Sequence, residues 1–155
     1  MRRNGFTLIE MLLVITIMGF VALLAIRPMR ETQQSSRVRA AKLIGATYMV
    51  TARTTAINRG CRTTIHFTQG AASTAWITSC KLTAVGSATS LSDTLGTVDN
   101  FGSRLGVTLT SSVDSVPYDA QGIAINGALR TFKFTKGSPA SVDSFMVSTL
   151  GMVVQ

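Results

Sequence analysis

The chain has 155 residues, 46% hydrophobic and only 6% aromatic, with a formal net charge of +8 at pH 7. That length allows one modest domain with its own core beside an anchor. One histidine and two cysteines fall short of a metal ligand set, so neither metal nor cofactor is expected.

The basic segment Met1-Arg2-Arg3-Asn4 precedes Gly5-Phe6-Thr7-Leu8-Ile9-Glu10 and an apolar run to Ile26. From Phe6 to Ile26 the only ionisable side chain is Glu10. A helix over that run is about 31 Å long, matching a hydrocarbon layer of roughly 30 Å. The run is longer than a secretory core and lacks an Ala-x-Ala-like cleavage site. An acid inside such a helix costs about 2.5–3.5 kcal/mol at the bilayer centre, which makes Glu10 a functional candidate.

The stretch Gly5 to Glu10 with its apolar run resembles the processing signature of type IV pilins and type II secretion pseudopilins. The resemblance implies peptidase cleavage between Gly5 and Phe6, N-methylation of Phe6, and a bacterial inner-membrane anchor. It places the amino terminus in the cytoplasm and the head in the periplasm. It also implies pairing of Glu10 with a neighbouring subunit's amino terminus, because a charge left alone in an apolar bundle is strongly penalised. The implied divisions are a leader over 1–5, a spanning and filament-core helix over 6–26, an amphipathic second half over 27–60 and a β-rich head over 61–155.

After Ile26, Arg27-Pro28 interrupts the run, and Pro28 is a candidate site of local bending or melting. A helical stripe resumes with Val38, Ala41, Gly45, Tyr48, Met49, Ala52 and Ala56, whose small residues admit close approach. Asn58-Arg59-Gly60 ends the helix, with Gly60 as left-handed cap. Charge is uneven. Arg27, Arg30, Arg37, Arg39, Lys42, Arg53, Arg59 and Arg62 face Glu31 alone, whereas basic and acidic residues balance from Thr63 onward. The stripe suits subunit or membrane contacts first and nucleic acid second.

Thr63 to Thr68 and Thr74 to Cys80 read as a hairpin around Gln69 to Ser73. Setting Phe67 opposite Thr74 places Ile65 beside Trp76 and Cys61 beside Cys80, which predicts a disulfide. Its loop of about 20 residues is worth roughly 3 kcal/mol. His66, on the other face, reads as an ordinary strand residue. Ala84 to Arg104 reads as a long surface loop with a short strand near Leu95 to Val98. Alternating Leu105, Val107 and Leu109 mark a strand, and Val116 to Asp119 a turn or edge approach. Gly122 to Ile125, Asn126-Gly127 and Leu129 to Phe134 predict a second hairpin with a type I′ turn. Phe132 and Phe134 share a face with Arg130. Ser144 to Ser148 reads as the last strand, with Phe145 and Val147 on one face.

The fold class expected is therefore α+β, a long amino-terminal helix packed on an antiparallel sheet domain. That order, with Ala56-Ile57 followed by Gly60, resembles the GspH/FimT-like branch of minor pilins and pseudopilins. The resemblance implies a non-enzymatic assembly subunit whose partners are other pilin subunits, the prepilin peptidase and the inner membrane. Some FimT-like members bind DNA in natural transformation through arginines beside the carboxy-terminal glycine. Here Gly151 is flanked by Leu150 and Met152. A DNA-binding minor pilin remains the alternative, with Arg37, Arg39, Lys42, Arg130, Lys133 and Lys136 as candidate contacts. For an enzyme, no Ser/His/Asp arrangement, carboxylate pair or phosphate loop is present.

Overall fold

In the computed structural model, residues 7–80, 92–125 and 127–154 are described. The first element, α1 (Leu8–Arg59), is about 78 Å long at the usual rise and runs on through Pro28 without interruption. Thr7 caps its start, its hydroxyl accepting from Glu10 N at 3.3 Å. Gly60 caps its end with φ +62°, as expected.

Two four-stranded antiparallel sheets follow. The first has the order β3-β2-β1-β5, built from β1 (Thr63–Phe67), β2 (Ala75–Cys80), β3 (Ser92–Asp99) and β5 (Ser115–Tyr118). The second has the order β4-β6-β7-β8, from β4 (Thr108–Ser111), β6 (Arg130–Lys136), β7 (Ser141–Val147) and β8 (Val153–Val154). A short helix, α2 (Phe101–Leu105), joins β3 to β4. The core lies between the second half of α1 and the two sheets.

Strand β6 alternates as its sequence dictates: Arg130, Phe132 and Phe134 are buried, Thr131 and Lys133 exposed. Phe132 stacks on Phe145 with ring centroids 5.0 Å apart, and Phe67 meets Phe132 at 4.9 Å. Small residues bring α1 down onto this aromatic layer. A Cβ on Gly45 would stand 3.0 Å from Phe145 Cε1 and 3.1 Å from Phe134 Cζ. Ala41, Ala52 and Ala56 lie on the same face, fully buried.

Several expectations need correction. Phe67 faces Ala75, Ile65 faces Ile77 and His66 faces Trp76, one residue away from the expected register. Burying Ala75, Ile77 and Ser79 together leaves Trp76 on the half-exposed face, where it stacks on His66 at 5.1 Å. Cys61 and Cys80 nevertheless form the predicted disulfide, their Cα atoms 6.2 Å apart, because Cys61 precedes the paired strand and is free of its register.

Among the described residues the second predicted hairpin is not formed. Ile123 N and Gln121 N donate to Asp119 Oδ1, and Ile125 N donates to Pro117 O, so this segment folds back on β5. Strand β6 pairs instead with β4 and β7, and Gly127 lacks the positive φ that a type I′ turn requires. Asn126 lies outside the described residues.

Leu105 ends α2 rather than opening a strand, and β4 begins at Thr108. Of the expected loop from Ala84, residues 84–91 lie outside the described residues; the strand expected near Leu95 to Val98 is present as the longer β3, and α2 takes the place of loop after it. Val116 to Tyr118 belongs to a full edge strand, and β7 starts earlier than expected, at Ser141.

Reduction of Cys61–Cys80 removes a cross-link closing about 20 residues, an expected loss of roughly 3 kcal/mol. Thermal unfolding of the oxidised protein against a Cys61→Ser/Cys80→Ser variant measures it.

Candidate assembly interface

Glu10 lies in the first turn of α1, exposed, and takes part in no ion pair among the described residues. Around it every residue from Leu8 to Leu24 is exposed, including Leu8, Ile9, Ile15, Met18, Phe20 and Leu23. Among the described residues α1 is the one helix long and apolar enough to cross a membrane. Gly5 and Phe6 lie outside the described residues.

The six candidate basic contacts do not form one patch. Arg130 is buried in the core, with Nη2 donating to Ile125 O at 2.9 Å. Lys42 forms a half-buried salt bridge to Asp143 at 3.0 Å, holding α1 against β7. Lys136 donates to Leu105 O at the end of α2, where a cation suits the helix dipole. Burial, and then the neighbouring Arg37, lowers its pKa. Arg37, Arg39 and Lys133 remain exposed. Half the set is thus committed to packing.

Sequence reasoning missed a second buried feature, where Tyr118 meets the carboxy-terminal turn. Its hydroxyl donates to Gly151 O at 3.3 Å and lies 3.6 Å from Met49 Sδ. Burial raises its pKa to about 12, although Arg130 and Arg53 pull the other way. Gly151 adopts φ +79°, and a Cβ there would come within 2.5 Å of Tyr118 Cε1. This glycine, flanked by no arginine, is a packing element under the tyrosine ring.

Comparison with known proteins agrees with the geometry. Residues 1–26 match the model of the prokaryotic N-terminal methylation motif. A crystal structure of the type IV minor pilin FimU of Pseudomonas aeruginosa strain PAO1 is similar to this chain, with a TM-score of 0.51 and 15% identity. The match covers 81% of this chain and 89% of that one. A second crystal form of FimU gives a TM-score of 0.48 at 17% identity, over 77% of this chain and 89% of the other. No curated protein matches in sequence. At such identities the likeness is one of fold. The protein is type IV pilin-like, with the methylation motif at the head of a pilin fold.

Two outcomes are expected. Gly151→Ala combines left-handed backbone strain with a clash on Tyr118, and should cost about 2–3 kcal/mol in denaturant unfolding. Between pH 10 and about 12 an unfolded tyrosine ionises while Tyr118 keeps its proton, so stability held below pH 10 falls across that window. Tyr118→Phe should reduce that slope by up to about 1.4 kcal/mol per pH unit, read from unfolding curves at pH 9 to 12.

Proposed function

We propose that the protein is a non-enzymatic minor pilin or pseudopilin that takes part in assembling a type IV pilus or type II secretion pseudopilus. The observation that carries this reading is the apolar first half of α1, bare on every side, with a carboxylate in its first turn. A surface of that kind is stable only in lipid or against other apolar helices. Cleavage between Gly5 and Phe6 creates a new amino terminus four residues before Glu10, and methylation then falls on Phe6.

In the bilayer the chain spans once, residues 6–26 serving as anchor and later as filament core. The amino terminus faces the cytoplasm and the head, 61–155, the periplasm. Residues 27–60 join the two as the amphipathic half of the rod. On extraction into a filament, Glu10 loses water and lipid headgroups together. An opposite charge from a neighbour's amino terminus offsets that cost, and an unpaired one leaves it in full. The processing peptidase, the inner membrane and other pilin-like subunits are the partners on this reading. The likeness to a minor pilin in fold supports it, and the dispersal of Lys42, Arg130 and Lys136 into structural roles weakens the nucleic-acid alternative.

Glu10→Ala should leave the chain in the membrane fraction yet lower its recovery in sheared filaments or co-purified subunit complexes by about tenfold or more. Recovery equal to the unaltered protein would overturn the pairing role.

A further inference from the structure

Seven-residue steps place Met29, Leu43, Val50 and Ile57 on one line of α1. Thr47 and Thr54 fall between the last three at the alternating three–four spacing of a coiled-coil seam. The four apolar side chains are 66%, 63%, 54% and 49% exposed. Both threonine hydroxyls turn back on their own helix, Thr47 to Leu43 O at 2.8 Å and Thr54 to Val50 O at 3.0 Å. Neither interrupts the apolar line. Gln33, Ser36 and Ala40 complete it, and no charged residue of α1 falls on it.

The line lies opposite Val38, Gly45 and Ala52, the face that the head covers. Traced backward at the same spacing it passes through Ala22, Ile15 and Leu8, so it is continuous with the apolar first half. A partner that emerges from the same membrane therefore runs parallel to α1.

The flanks decide which partner. Arg30 and Arg37 border one side of the seam and Arg39 the other, all exposed, while Glu31 points away from it. Two parallel copies would bring six guanidinium groups along about 14 Å of seam with no acid on either flank. Flanking side chains of two helices packed about 8–10 Å apart stand within roughly a Debye length (about 8 Å at physiological salt) of one another, so their repulsion is only partly screened. We infer that the seam takes the helix of a different subunit, uncharged along its own seam and flanked by Asp or Glu. This rests on the assembly role proposed above and names the chemistry of the partner.

The test uses the full-length protein in detergent micelles with two labelled synthetic helices. Both carry the same Leu seam, one flanked throughout by Glu and the other by Lys. The Glu-flanked helix is expected to bind about tenfold tighter or better at low salt, with the gap narrowing as salt rises. Leu43→Lys/Val50→Lys should weaken that binding by about tenfold, with the thermal unfolding midpoint unchanged because both residues are exposed. Equal binding of the two helices, no binding of either, or disulfide cross-linking of two Val50→Cys copies through the seam would each overturn the inference. In cells, normal incorporation of Leu43→Lys/Val50→Lys beside failed incorporation of Glu10→Ala sinks the seam and leaves the assembly role standing. Absence of the unaltered protein from filaments and subunit complexes sinks the assembly role itself.

Discussion

The close approach of α1 to the phenylalanine layer is the constraint on which the rest of the structure depends. Interiors pack to crystal-like density, so a helix can sit this close only where its side chains are small. Gly45, under the rings of Phe134 and Phe145, and Ala41, Ala52 and Ala56 along the same face meet that condition. Fixing that face toward the sheets fixes its opposite toward solvent. The orientation of everything a neighbour can touch on the rod follows from four small residues.

The same constraint sorts the basic residues of the middle segment. Among those on the sides of α1 that meet the head, Lys42 pairs with Asp143 and Arg59 donates to Cys80 O. Those rotated away, Arg37 and Arg39, keep their charge in water. The formal positive excess of the sequence is thus two populations. One holds elements together at distances of hydrogen bonds, and the other is free to act on approaching surfaces. Net charge alone does not separate them.

Much of this was legible beforehand, and where it was not the reason is physical. The rod, its Gly60 terminus and the alternation of Arg130 to Phe134 follow from local patterns that tertiary context does not overrule. The Cys61–Cys80 bond survives a register one residue off because Cys61 lies outside the paired strand. The register of β2 does not follow from such patterns, because Ala75, Ile77 and Ser79 make as plausible a buried set as Trp76, Thr78 and Cys80, and one slip exchanges the two faces. Asn126-Gly127 gave a strong turn signal, but Asp119 supplies its own side-chain-capped turn and draws the preceding residues onto β5. Phe101 sits in a Ser/Thr/Gly-rich stretch and is fully buried. Asn100 and Gly106, bracketing five residues as caps, were the signal that could have revealed α2. Glu10 was evident from composition alone, since one acid in an apolar run needs no tertiary information to be noticed.

The disulfide acquires another meaning when the rod is thought of as something pulled. Cys61 and Cys80 tie the far end of α1 to β2, and Arg59 reaches Cys80 O at 3.3 Å beside them. Lower on the rod, Lys42 grips Asp143 on the other sheet. A force along the helix axis therefore reaches the head as shear spread between two fastenings, one covalent, rather than as peeling from one end. Tension on the rod drags the whole head with it, and the sheets do not slide along their own handle.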